Sequence, residues 1–151
     1  MKIAHSITIS VFCKPEDNKE EVEKALLSLF PFHLENEKIA ITKQTAESFN
    51  ERKITIIEVQ LKKGAHINSF IDSLKERFSE EQRDLLTRQL ESRLDGEFNF
   101  FMRLDKTRLM NDKTCYITDS GDCFHIKISI AAFPKTRESA AAVVKRIFRD
   151  I

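Results

Sequence analysis

The pattern that decides the fold lies in residues 98–134, FNFFMRLDKTRLMNDKTCYITDSGDCFHIKISIAAFP. Apolar side chains occupy every second position over residues 98–104, and again over residues 124–130. A period of two indicates a strand with one buried face. Residues 115–118 predict a further strand, because the Ser-Gly that follows them is a tight-turn signal. The stretch therefore predicts three successive antiparallel strands, and a polar loop over residues 106–113 joins the first two.

The rest of the chain supplies helices and further strands around this stretch. Its patterns predict strands over residues 3–11, 38–45 and 53–61, and helices over residues 18–30, 67–78, 79–94 and from 136 onward. The order β-α-β-β-α-α-β-β-β-α predicts an α+β fold, a two-layer sandwich in which a mainly antiparallel sheet of about six strands has its helices on one face. The last helix should dock on the sheet through an apolar side that includes Phe148 and Ile151.

The composition indicates one domain, residues 1–151, and argues against several classes of protein. With 25 basic and 24 acidic residues, the chain lacks the uniform basic surface that grips duplex DNA unaided. Three cysteines, none of them in a Cys-x-x-Cys pair, indicate neither a disulfide framework nor a zinc site. The sequence has no signal-peptide pattern and no apolar run of ~20 residues, so we expect a cytoplasmic protein that needs no membrane partner and no cofactor.

One face of the predicted sheet carries a polar, partly cationic surface. If the apolar rows face the helices, then Phe101, Arg103, His125 and Lys127 project from the other side. Folds that hold single-stranded RNA use basic groups for the phosphates and rings that stack on the bases. The face therefore predicts an RNA contact; a solvated sheet face, or a homodimer contact centred on Phe101, explains the same residues.

A second basic group follows the strand that ends at Asp105. Lys106 and Arg108 lie in the predicted loop, and Lys135 and Arg137 lie at the start of the last helix, where backbone N–H groups suit a phosphate. Solvation, with pairing to nearby carboxylates, explains these side chains equally well. We therefore include them as candidate RNA contacts beside the sheet face.

An acidic cluster offers an alternative, enzymatic interpretation. Asp105, Asp119 and Asp122, with His125, are of the type that holds Mg²⁺ or Mn²⁺ in a small nuclease. Asp119 and Asp122 flank a Ser-Gly turn, however, and aspartate suits a turn because its side chain bonds the local backbone. The sequence also lacks a Gly-rich phosphate loop and a nucleophile motif. We therefore predict no metal site and no catalytic residue.

The order of short motifs in the last third resembles a known family. These motifs are Leu104-Asp105-Lys106, Ile117-Thr118-Asp119, Gly121-Asp122, His125-Ile126-Lys127-Ile128 and Phe133-Pro134-Lys135. They are similar to those of an archaeal family described as RNA-binding proteins and predicted exosome subunits, whose fold resembles that of the ribosomal protein that binds 5S RNA. The resemblance implies a non-enzymatic RNA-binding protein, an accessory or subunit of an RNA-processing assembly, with RNA and RNA-processing proteins as partners.

Overall fold

The computed structural model describes residues 2–47 and 52–149, and a single antiparallel sheet lies at its centre. The strands are β1 (Ala4–Cys13), β2 (Ile41–Glu47), β3 (Lys53–Leu61), β4 (Asn99–Asp105) and β5 (Cys123–Ile130). Their order across the sheet is β2-β3-β1-β5-β4, which puts β1 at the centre between β3 and β5. Every neighbouring pair is antiparallel.

Six helices in the described part of the chain accompany the sheet. They are α1 (Lys19–Leu27), α2 (Gly64–Arg77), α3 (Glu80–Arg88), α4 (Leu90–Arg93), α5 (Lys106–Asp112) and α6 (Arg137–Arg149). Local chemistry explains where several begin. The Asn18 side chain accepts from the N–H groups of Glu20 and Glu21, and the Ser79 hydroxyl accepts from that of Gln82. Such caps satisfy N–H groups that a helix leaves unpaired at its start. Across the described residues, we find no helix of the length and apolar character that spanning a membrane requires.

The core lies between the helices and one side of the sheet. Alternate residues of the strands are buried there, among them Ile9, Val59, Phe100 and Ile126, and they pack with the buried residues of the helices in one cluster. In α6, Phe148 is buried and its ring centroid lies 5.8 Å from that of Phe100. The predicted α+β class is confirmed. Ile151, the other residue predicted to dock, lies outside the described residues.

The prediction of a strand over residues 115–118 is wrong, and the sheet has five strands rather than six. The segment makes a single bridge, between Ile117 and Leu104. It lies along β4, where the N–H of Asp105 donates to the carbonyl of Tyr116 at 2.8 Å. Its own Ile117 N–H donates to the side chain of Gln82 at 2.7 Å. The segment therefore covers the edge of β4 through one bridge and does not extend into a ladder.

The prediction of a polar loop over residues 106–113 is also wrong, because residues 106–112 form α5. The Asp105 carboxylate caps the helix by accepting from the Arg108 N–H at 2.9 Å, and Leu109 is buried beneath it. Lys113, whose φ of 57° is left-handed, ends the helix. In a helix of two turns only a few residues show the helical spacing, so its signal in the sequence is weaker than the long alternation of a strand.

Other boundaries also differ from the prediction. The helix predicted over residues 79–94 is interrupted at Gln89, which separates α3 from α4. The strand predicted over residues 38–45 starts at Ile41 rather than Lys38. Lys38 has a left-handed φ of 58°, and the Ile39 N–H donates to the Leu34 carbonyl, so this part of the chain still belongs to a turn. Between the strands predicted over residues 38–45 and 53–61, residues 48–51 lie outside the described residues.

Candidate functional site

The sheet register brings four predicted site residues together on the side that the helices do not cover. In one row across the sheet, Ser10 pairs with His125 and His125 pairs with Arg103. In the next row, Thr8 pairs with Lys127 and Lys127 pairs with Phe101. We call this side the open face, and its central residues are Ser6, Thr8, Ser10, Phe12, Phe101, Arg103, His125, Lys127 and Ser129. Because β5 lies between β1 and β4, the four predicted side chains form one continuous surface.

Two aromatic rings lie exposed on the open face. Phe101 is 41% exposed on β4, and Phe12 is 45% exposed near the end of β1. The ring of Phe12 is tilted against that of His125, with 5.6 Å between the centroids. Phe12 is not among the predicted site residues because the predicted first strand ends at Val11, whereas β1 continues to Cys13. Continuing the alternation of Ser6, Thr8 and Ser10 by one more step would have found it.

The charged groups of the open face differ in how firmly they are held. Arg103 donates from Nη1 to the carbonyl of Asp119 at 2.8 Å, which leaves its other N–H groups without a bond to the described residues. Lys127 is exposed, and within residues 2–47 and 52–149 its ammonium has no hydrogen bond or ion pair. Both cations are therefore available to an anion that approaches this face.

His125 contributes a neutral ring rather than a charge near pH 7. Burial, and then the positive charge of Arg103, lower the pKa of His125 below its usual value, despite the opposing effect of Asp122. Its Nε2 lies 3.6 Å from the Sγ of Cys123. Burial raises the pKa of that thiol, so Cys123 stays protonated and is a poor nucleophile. The pair does not have the character of an activated Cys-His site.

Lys106 lies below the surface, unlike the residues of the open face. It is 3% exposed, and its Nζ donates to the Phe12 carbonyl at 2.8 Å, to Asp17 Oδ2 at 2.8 Å and to Asp122 Oδ2 at 3.2 Å. An ammonium has three N–H donors, so all of them have partners inside the protein. This geometry gives Lys106 a structural role beneath Phe12.

The other predicted basic residues lie in separate places. Arg108 is exposed and its guanidinium lies 3.9 Å above the ring of Tyr116, a cation–π contact. Arg137 donates to the carboxylate and carbonyl of Glu91 at 3.0 Å, which ties the start of α6 to α4. Lys135 is exposed and lies two residues after Phe133, whose side chain is 95% exposed.

The three aspartates proposed for a metal each have a different partner. Asp105 caps α5, Asp119 pairs with Arg93 at 3.1 Å, and Asp122 pairs with Lys14 at 2.9 Å as well as with Lys106. Among residues 2–47 and 52–149, no group of three or more His, Cys, Asp or Glu side chains is placed to hold a metal ion. The geometry therefore gives the nuclease alternative no support.

Comparisons with known proteins agree in both sequence and structure. A family model described as RNA binding matches residues 6–130. An RNA-binding protein of Pyrococcus abyssi is 25% identical over 142 residues, which cover 94% of this chain and 92% of that protein. A DUF54 protein of Archaeoglobus fulgidus has a TM-score of 0.85 and 24% identity, and the match covers 95% of this chain and 99% of that one. A DUF54 protein of Methanothermobacter thermautotrophicus has a TM-score of 0.78 and 24% identity, with 97% and 99% covered.

Proposed function

This chain belongs to the RNA-binding family, and from that membership we propose that it binds single-stranded RNA on the open face. The observation that supports the proposal is that two exposed rings and two available cations lie on one face of adjacent strands. Bases stack on such rings, and the cations meet the phosphates. The near balance of charge over the whole chain means that binding depends on this local surface rather than on net charge.

The spacing of the two rings supports two stacked bases rather than one. Strands lie about 4.8 Å apart and rise about 3.4 Å per residue. Thr8 lies in the row of Phe101, two strands away, and Phe12 lies four residues beyond Thr8 along β1. The rings are therefore roughly 17 Å apart on the face. Lys127 and Arg103 lie on the strands between or beside them, where the phosphates linking the two bases would pass.

The resemblance to predicted exosome subunits extends the proposal to a biological role. We assign the chain a non-enzymatic role as an accessory or subunit of an RNA-processing assembly in the cytoplasm, with proteins of that assembly as partners. A binding surface of a few residues suits such a role, because an accessory protein needs to hold RNA without cutting it. Affinity purification from cells, with and without ribonuclease treatment, separates partners held through RNA from those held directly.

The cations of the open face should set the salt dependence of binding. Replacing Arg103 or Lys127 by alanine should weaken binding of oligouridine and reduce the slope of log affinity against log salt by about 0.7 each, because each change removes one phosphate contact. Fluorescence anisotropy over a series of salt concentrations measures both quantities, and circular dichroism confirms folding. Lys145→Ala, on the exposed side of α6, is the matched control and should leave the slope unchanged.

If the double variant Arg103→Ala with Lys127→Ala binds RNA as tightly as the parent, the open face is not the RNA-binding site. The surface around Arg108 and Lys135 would then be the one to test. If the parent protein shows no salt-dependent RNA binding even at low salt, the proposed function itself fails.

The rings should favour single strands over duplexes. We expect Phe101→Ala or Phe12→Ala to weaken the binding of single-stranded RNA by about 1 to 3 kcal/mol, because each variant loses one stacked base. The binding of duplex RNA should weaken much less. Tyr116→Ala removes an exposed ring that is not part of the open face and serves as the control. Equal losses for both forms of RNA would argue against stacking.

The homodimer contact has a separate test. If the parent protein sediments as a dimer and Phe101→Ala sediments as a monomer, the result favours the homodimer contact over RNA stacking.

A further inference from the structure

A pocket of about 360 Å³ lies at the edge of the open face, beside β4. We call it the edge pocket; its lining residues are Gln89, Ser92, Arg93, Phe101, Arg103 and Asp119. The volume lies within the range of small-ligand sites in proteins. Phe101 belongs both to the open face and to the pocket, so an RNA strand on the face could place one base in the pocket.

A buried arginine, Arg93, holds the residues that line this pocket in place through hydrogen bonds. Arg93 is 9% exposed, and its guanidinium donates to Gln89 Oε1 from both Nε and Nη2, at 3.0 and 2.6 Å. The same Nη2 donates to Asp119 Oδ1 at 3.1 Å, and Nη1 donates to the Phe101 carbonyl at 3.4 Å. The guanidinium thus links α4, β4 and the turn after Thr118, and it fixes one oxygen of the Asp119 carboxylate.

The carboxylate of Asp119 keeps free acceptor capacity that faces outward. Its side chain is 76% exposed, and Oδ2 makes no hydrogen bond with the described residues. Arg103 holds the backbone carbonyl of the same residue at 2.8 Å, so the turn is anchored twice. Two arginines and one aspartate give the pocket a net positive charge, so that a carboxylate here does not repel an RNA strand.

Among the four RNA bases, guanine fits this combination of groups. Its Watson–Crick edge presents two adjacent donors, N1–H and the 2-amino group, which match the two oxygens of a carboxylate. Adenine and cytosine place a lone pair next to their amino group, which would face the negative oxygens, and uracil offers one N–H. We propose that the edge pocket binds one unpaired guanine base, with Phe101 stacked on it and Asp119 accepting from its edge. This rests on the proposed RNA binding and adds base preference to it.

The experiment compares oligouridines that carry a single guanosine, inosine or adenosine at the same central position, by fluorescence anisotropy. For the parent we expect guanosine to bind at least fivefold more tightly than adenosine, because a matched pair of hydrogen bonds discriminates by that order. Inosine keeps N1–H but lacks the 2-amino group, so its affinity should lie between the two. Asp119→Asn should reduce the guanosine-to-adenosine ratio below twofold.

Asp112→Asn, an exposed carboxylate outside the pocket, is the matched control and should keep the full guanosine preference. Equal binding of all three oligonucleotides by the parent would overturn the edge-pocket proposal and leave RNA binding intact. Asp119→Asn that keeps the preference would overturn it as well. Because the inosine comparison needs only the parent protein, a variant that fails to fold does not remove the test. Absence of binding to any of the RNAs would instead count against the proposed function.

Discussion

Phe148→Ala is expected to lower the free energy of unfolding by about 3 to 5 kcal/mol, the range for truncating a buried aromatic ring. Phe148 is 1% exposed and its ring packs against that of Phe100, so alanine would leave a cavity between α6 and the sheet. For a chain of this size, each kcal/mol shifts the melting temperature by about 2 to 4 °C. The melting temperature should therefore fall by roughly 6 to 20 °C. Urea denaturation followed by circular dichroism measures the free energy directly.

The control for this change is Arg149→Ala, one residue later on the exposed side of the same helix. It should alter the free energy by no more than about 0.5 kcal/mol, as exposed substitutions usually do. If Phe148→Ala unfolds at the same urea concentration as the parent, α6 does not dock on the sheet as described.

Lys106→Met should lower the free energy of unfolding by about 3 kcal/mol, because it leaves the partners of a buried charge uncompensated. Methionine fills a similar volume, but the Phe12 carbonyl, Asp17 and Asp122 lose their shared donor. The lower end of the usual range applies, since both carboxylates keep some access to water. RNA affinity of the folded variant should change little, because the Lys106 ammonium does not reach the surface.

The loss in free energy of unfolding caused by Lys106→Met should depend on pH, and the lowered pKa of Asp17 determines whether the loss grows or shrinks in acid. Burial would raise that pKa, but the hydrogen bonds from Lys106 and from the Lys14 N–H outweigh it, so the pKa lies below its usual value. A lowered carboxyl pKa stabilises the fold above about pH 4 and loses that contribution as the pH falls further. The difference between parent and variant should therefore shrink below about pH 4.

The comparison variant is Lys14→Met, because Lys14 also pairs with Asp122 but lies at the surface. Exposed ion pairs contribute about 1 kcal/mol or less, so its loss of stability should be clearly smaller. Equal losses from Lys14→Met and Lys106→Met would show that burial of the Lys106 ammonium is unimportant. A large loss of RNA affinity in a folded Lys106→Met protein would restore this residue to the binding surface.

The strands with long alternation were predictable because their signal is local. The patterns of residues 98–104 and 124–130 identify β4 and β5 without knowledge of any neighbour. Residues 115–118 show a similar but shorter pattern, and one of their hydrogen-bond partners is remote in sequence. The side chain of Gln82, which lies 35 residues earlier in the chain, accepts a hydrogen bond from the Ile117 N–H. No local sequence pattern contains that contact.

The open face was predictable to the same extent and for a related reason. Pleating alone places Arg103 and Phe101 on one side of β4, and His125 and Lys127 on one side of β5. That β5 lies directly between β1 and β4 depends on the strand order, which no local pattern contains. Arg93 and its link to Asp119 also depend on chain packing over a distance, as does the burial of Lys106 against Asp17, 89 positions earlier.

The central place of β1 has a consequence for how the chain folds during synthesis. The partner of β1 on one side is β5, whose residues follow more than a hundred positions later. Until they leave the ribosome, one edge of β1 has unpaired N–H and C=O groups, and such edges pair readily with other chains. Closing so long a loop also slows folding, since distant contacts must form before the sheet gains stability. The sheet is therefore expected to be completed late, only after β5 has been synthesised.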